Sequence, residues 1–149
     1  MATTVGNEGD IEGLVTDLIY LERDAIAAYE SSIEKLSDAS LSGELARFLN
    51  DHRQHLDVLN EIARETGAQA PLEGDAKQML TTGKIALANL IGDAAILKAM
   101  KTNEDDTVTA YERAATHQDA IPKSKAFFEK ALSDERRHRE WMEQTYQAL

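Results

Sequence analysis

Asp134-Glu135-Arg136-Arg137-His138 is the stretch on which the reading of this 149-residue chain turns. On a helix, a Glu and a His three residues apart point the same way, so Glu135 and His138 can reach one metal ion. Alone, the pair is better explained as a surface ion pair. It gains weight because a second copy, Asp51-His52-Arg53-Gln54-His55, lies 83 residues earlier.

Around these motifs the two halves of the chain resemble each other. Leu49-Asn50-Asp51-His52-Arg53-Gln54-His55 aligns with Leu132-Ser133-Asp134-Glu135-Arg136-Arg137-His138, four of the seven residues being identical. Upstream of each copy, the segment from Glu22 to Glu30 aligns with the segment from Glu104 to Glu112 at an offset of 82, with five of nine residues identical and Tyr29 paired with Tyr111. Glu22 thus falls in register with Glu104, His52 with Glu135, and His55 with His138.

Helical periodicity places all six on apolar faces. Asp10 caps a first helix running to about Leu36, with Ile11, Leu14, Leu18, Ala25, Tyr29, Ile33 and Leu36 on its stripe and Glu22 in the gap. After the turn Ser37-Asp38-Ala39-Ser40, a second helix runs to Thr66 and stops at Gly67. Its stripe is Leu41, Leu45, Phe48, Leu59 and Ile62, interrupted by His52 and His55. A third helix spans about 93–117, with Leu97, Met100, Val108, Tyr111 and Ala115 around Glu104. Residues 84–91 are a candidate for continuing it backwards. The fourth, about 123–147, carries Phe128, Ala131, Met142, Thr145 and Leu149 around Glu135 and His138.

These helices predict an all-α, four-helix bundle made of two antiparallel hairpins, residues 10–66 and 92–149. A crossover over 67–91 contains a short helix at about 75–80, and Ile85, Leu87, Leu90 and Ile91 pack on the bundle. Residues 1–9 are expected to be frayed. The midpoint of 22 and 52 is the first turn, and that of 104 and 135 is the second. Each polar pair therefore lies roughly 22 Å from its turn, and all six residues share one depth. A charge buried on such a face is costly unless it is paired or bound to metal.

Composition narrows the chemistry. There is no cysteine, which removes disulfides, thiolate ligands and Cys nucleophiles together. The formal charge of −11 opposes nucleic-acid binding through the bulk surface. No apolar run approaches membrane-spanning length, and no secretory signal is evident, so a cytoplasmic setting is expected. Trp141, Met100 and Met142 read as core packing, His117 as a solvated residue near a helix end, and Arg136, Arg137 and Arg139 as a solvated face.

One carboxylate from each of two helices and a pair spaced i, i+3 from each of the others is the arrangement of a dinuclear carboxylate site. Carboxylate and imidazole suit iron, manganese or zinc. The same residues are also compatible with a non-catalytic metal store, or with a structural bundle whose polar layer is a satisfied hydrogen-bond network.

At these motifs the chain resembles the ferritin-like superfamily, in its bacterioferritin and rubrerythrin branch, over about residues 10–149. Glu22 with Tyr29, Glu104 with Tyr111, and Asp134-Glu135-x-x-His138 match the family pattern, and His52 stands where the family has Glu. The resemblance implies a di-iron site held by Glu22, His52, His55, Glu104, Glu135 and His138. It further implies ferroxidase, peroxidase or oxygen-scavenging activity on ferrous iron, peroxide or oxygen, of the kind used against oxidative stress. Tyr29 and Tyr111 would hydrogen-bond to ligand carboxylates, and Asp51 and Asp134 would each orient a His. Metal ions and small oxidants would be the partners. With no cysteine cluster in the chain, an electron donor would come from elsewhere. A homodimer is compatible with the pattern.

Overall fold

The structure is a computed structural model that describes residues 3–68, 87 and 89–149. Among these the fold is all-α: α1 (Ile11–Lys35), α2 (Ala39–Thr66), α3 (Asp93–Ala115) and α4 (Pro122–Ala148), with no strand. The helix ends follow from local chemistry. The Asp10 carboxylate accepts from the Gly13 N–H at 2.7 Å, and Asp38 accepts from the Ser40 N–H at 2.8 Å. Gly67, at φ 80°, closes α2 in the left-handed conformation that suits glycine. Pro122 opens α4, where a missing N–H costs nothing.

α1 packs chiefly on α2, and α3 on α4; the two hairpins meet through α1 with α3 and α2 with α4. The α1–α2 turn lies at the end where α3 begins, because Asp93 accepts from the Ser37 N–H, the Ser37 hydroxyl and the Asp38 N–H at 2.9, 2.9 and 3.1 Å. At the other end, Lys123 at the start of α4 donates to Glu65 at the end of α2, 2.9 Å away. Thr66 and Asp93 therefore lie at opposite ends, as the expected crossover requires. The short helix at 75–80 and Ile85 lie outside the described residues. Leu87 is buried and Leu90 packs on the core, but Ile91 is 91 % exposed and is not part of it.

The core has two apolar halves. Leu14, Leu18, Leu59, Ile62, Tyr111, Phe127 and Phe128 belong to one, and Tyr29, Leu45, Phe48, Leu97, Met100 and Met142 to the other. A buried polar set, Glu22, His52, His55, Glu104, Thr107, Glu135 and His138, occupies the same bundle interior. Burying a Leu or Phe side chain stabilises by about 1.5–3 kcal/mol, so these halves offset the cost of the polar groups. The α4 stripe ends at Met142: Leu149 is 61 % exposed.

The N-terminal residues expected to be frayed make defined contacts with α3 and the turn after it. The Thr3 N–H donates to Asp106 at 3.2 Å, and Arg113 donates to the carbonyls of Thr3 and Val5 at 2.8 and 3.1 Å. His117 is not simply solvated. Its Nε2–H donates to the Glu8 carbonyl at 2.7 Å, and Nδ1 accepts from the Asp119 N–H at 3.1 Å. Gly6 lies flat on Arg113 at φ 103°, and a Cβ there would stand 2.3 Å from Arg113 Cβ. Gly6→Ala is therefore expected to cost about 1–3 kcal/mol. Much of that loss is local undocking, seen as faster amide hydrogen exchange over residues 3–8 with the exchange of α2 unchanged.

Candidate metal centre

All six residues singled out by sequence meet at one level of the bundle, each no more than 1 % exposed. They form two overlapping groups: Glu22, His52, His55 and Glu135, and His52, Glu104, Glu135 and His138. Within each group one potential ligand atom per residue lies within 4.8 Å of all the others. The groups draw on both hairpins and share Glu135 and His52.

Each carboxylate is positioned by a residue from another helix. Tyr111 on α3 donates its hydroxyl to Glu22 on α1 at 2.7 Å, and Tyr29 on α1 donates to Glu104 on α3. The two tyrosines thus cross between hairpins. So do the aspartates: His55 Nε2 meets Asp134 at 2.8 Å, and His138 Nε2 meets Asp51 at 2.8 Å. With each Nε2–H turned outward to an aspartate, Nδ1 faces the carboxylates. Arg137, expected on a solvated face, ties both aspartates together, donating to Asp51 at 2.8 Å and to Asp134 at 3.3 Å. Phe48 stacks on the His138 ring at 4.2 Å, and Phe127 meets His55 edge-on at 5.9 Å.

His52 lies between the groups. Its Nδ1 meets Glu22 at 2.7 Å, while Nε2 meets Glu104 at 3.2 Å and stands 3.5 Å from Glu135. Thr107, which the sequence reading passed over, reaches Glu104 at 2.7 Å and Glu135 at 2.9 Å through one hydroxyl. A hydroxyl holds one proton, so it donates to one of these carboxylates at a time.

Two buried polar atoms have no hydrogen-bond partner among the described residues: Glu135 Oε1 and His138 Nδ1. His55 Nδ1 stands 3.2 Å from Glu135 Oε1 but is hydrogen-bonded to Glu22 Oε1. His138 Nδ1 is 3.7 Å from Glu135 and 3.8 Å from Glu104, beyond hydrogen-bond range. Both atoms lie within the six-residue set, Glu135 in both groups and His138 in one. Buried orphans of this kind are costly, and a cation coordinated by both groups would satisfy them. The oxygen and nitrogen donor set suits a divalent metal, so the residues present fit one.

Electrostatics without metal follow from burial and charge. Burial pushes the Glu22 carboxyl up, but His52 and His55 outweigh it and hold it down at about 2. Burial pushes His55 down, yet Asp134, Glu135 and Glu22 raise it to about 11. His138 is likewise raised against burial to about 9 by Glu104 and Glu135. Burial and neighbouring Glu104 push Glu135 upward. The metal-free layer thus approaches neutrality, with imidazolium protons balancing carboxylates.

Its contribution to stability depends on pH in a defined direction. The raised histidines contribute fully below their ordinary 6.5 and lose that contribution as pH rises through about 9 and about 11. The lowered Glu22 contributes fully above 4.5 and loses it as pH falls through about 2. The raised Glu135 contributes fully below 4.5 and loses that contribution as pH rises above it. In the presence of chelator, the urea midpoint is expected to peak between about pH 4.5 and 6.5 and to fall on both sides. A midpoint rising from pH 7 to 10 would contradict the assigned protonation.

No curated protein and no solved structure matches the chain. Residues 11–117 match a family described as a domain of unknown function (DUF2383). The match covers α1 to α3, with Glu22, His52, His55 and Glu104, and ends before Glu135 and His138. The four-helix chain with this buried Glu/His layer belongs to the DUF2383 family.

Proposed function

We propose that this chain is a ferritin-like dinuclear metal protein, with iron at Glu22, His52, His55, Glu104, Glu135 and His138, acting as an oxidoreductase on ferrous iron, peroxide or oxygen. The observation that carries the reading is the pair of unsatisfied buried atoms, Glu135 Oε1 and His138 Nδ1, both within the six-residue layer. The two oxygens of Glu135 are directed toward different groups: Oε1 lies nearer His55, and Oε2 nearer His52 and His138. That disposition suits a carboxylate shared by two cations.

Two ferrous ions held there would supply the two electrons that, with two protons, convert oxygen to peroxide or, with bond cleavage, peroxide to water. The residues of the chain set the conditions. Asp134 and Asp51 hold the His55 and His138 rings with Nδ1 inward. Tyr29 and Tyr111, buried and with phenols pushed well above their ordinary range by burial and the carboxylates, remain protonated donors to Glu104 and Glu22. Protons on the histidines must leave as cations bind, so binding releases acid. Phe48 and Phe127 limit water at the layer.

A non-catalytic metal store is the second reading, favoured by His52. A neutral imidazole offers one lone pair at a time, which leaves the pair of ions with one fewer anionic ligand than a Glu would supply. The test is metal per purified chain, followed by ferrous iron and oxygen with absorbance as readout. Rapid oxidation that is lost in Glu135→Ala/His138→Ala supports the oxidoreductase. Bound metal without oxidation supports the store. No metal in either protein defeats both and leaves the layer a structural network.

The aspartates provide a finer check. Asp51→Asn and Asp134→Asn each weaken the orientation of one ring, and metal affinity is expected to fall about 10–100-fold in each. Equilibrium competition against a chromophoric chelator measures this directly.

A further inference from the structure

The six-residue layer is enclosed, so cations need a way in. Between α1 and α3, a cavity of about 40 Å³ is lined by Leu21, Asp24, Ala25, Asn103, Asp106 and Thr107. That is room for a water or a dehydrated cation. Its inner wall is Thr107, whose hydroxyl touches both Glu104 and Glu135. The Glu135 oxygen it touches is Oε2, the one nearer His52 and His138. The small Ala25 side chain leaves the gap between the helices open at this level. Outside, a wider groove of about 290 Å³ shares Leu21 and Asp24 with the cavity and adds Thr3, Asp17 and Tyr20. The Thr3 N–H donates to Asp106, so the N-terminal segment forms the rim of the opening.

We propose that this opening between α1 and α3 is the access route for divalent cations, passing from the groove at Asp17, between Asp24 and Asp106, to Thr107 and the Glu104/Glu135 carboxylates. The inference rests on the metal reading of the buried layer and adds where the ion crosses the bundle wall. Three features act in series. Acidic groups at a narrow mouth raise the local cation concentration and speed capture, an effect that weakens as salt rises. Asn103 and Thr107 offer uncharged oxygens along the cavity, which can replace water around a cation being stripped of its shell. The Thr107 hydroxyl, already shared between two carboxylates, can turn to accept rather than donate when a cation arrives.

The test uses the full-length metal-free protein and cobalt(II), which binds oxygen and nitrogen donors without needing turnover. Uptake is followed by stopped-flow quenching of Trp141, which meets Phe48 at 5.4 Å, the ring stacked on His138. Metal per chain at equilibrium is measured in parallel. Asp24→Asn/Asp106→Asn is expected to slow uptake about 10-fold at low salt, to flatten its salt dependence, and to leave the final cobalt content unchanged. Asn at 106 keeps an oxygen to accept from Thr3. Ala25→Leu, which changes no charge, is expected to slow uptake at every salt concentration. Glu44→Gln/Glu61→Gln, removing the same charge elsewhere, is expected to match the wild type. An unchanged rate in the Asp24/Asp106 variant, an equal slowing in the Glu44/Glu61 control, or a fall in final cobalt content overturns the route. Wild-type protein that takes up no cobalt overturns the metal reading itself, which separates the two failures.

Discussion

Glu135→Gln is expected to abolish tight binding at both metal positions, whereas His55→Gln and His138→Gln each impair one. Glu135 belongs to both four-residue groups, while His55 and His138 each belong to a single group. Gln keeps the size of Glu and one acceptor oxygen but loses the charge and replaces the other oxygen with an NH2 donor. Losing a ligand exceeds the roughly 10–100-fold cost of losing a residue that merely orients one. Affinity at both positions should therefore fall more than about 100-fold in Glu135→Gln. Metal titration by calorimetry should show two binding events in the wild type, one in each histidine variant, and none at micromolar metal in Glu135→Gln. The fold should survive, because Gln fills the same volume and burial together with Glu104 already pushes the Glu135 carboxyl upward, so removing its charge relieves part of a buried cost. A Glu135→Gln protein that still binds two ions would show that its carboxylate is not shared. A histidine variant that loses both would show that the two groups are one site.

Much of this layer was legible because polar residues on an apolar helical face stand out, and here they recur in register. Glu22 and Glu104, His52 and Glu135, and His55 and His138 lie where periodicity demands apolar side chains, and all six are buried at one level. Equal distance from the two turns was enough to place them together without coordinates. What stayed hidden depends on contacts between hairpins. Tyr29 serves Glu104 rather than Glu22 on its own helix, and Asp51 serves His138 rather than His55. Spacing along one helix carries no information about such crossed partners. Thr107 escaped because a Thr one turn beyond a Glu is common, and its repeat counterpart, Ala25, has no hydroxyl to mark the position. Arg137 escaped because its half-exposed stem looks like any surface arginine until the two aspartates it spans are brought together. The N-terminal segment escaped because its anchors, Asp106, Arg113 and His117, are more than 100 residues away in sequence.

His52→Glu should make stability depend more strongly on metal. In the wild type, three acids and three imidazoles share the layer, and imidazolium protons balance the carboxylates without any ion. His52 is central to that balance: burial opposes its charge, but Glu135, Glu22 and Glu104 raise it well above the ordinary histidine range. Replacing it with Glu leaves four acids facing two imidazoles. Removing one partner of a buried charge pair costs about 3–5 kcal/mol, and adding a further acid deepens the imbalance. The metal-free variant is thus expected to lose about 3–5 kcal/mol of stability near neutral pH. With metal the loss is offset, because the extra carboxylate supplies an anionic oxygen where the imidazole offered a single lone pair. Metal present at about 1,000 times its Kd contributes roughly 4 kcal/mol, enough to offset the loss. Urea denaturation with and without cobalt(II) should therefore show a larger metal-dependent shift in His52→Glu than in the wild type. His52→Leu should show the destabilisation from unpaired carboxylates without the recovery. Equal metal-free stability of wild type and His52→Glu would mean that the layer is not balanced by imidazolium charge. A destabilised His52→Glu that metal fails to rescue would mean that position 52 does not face a bound cation.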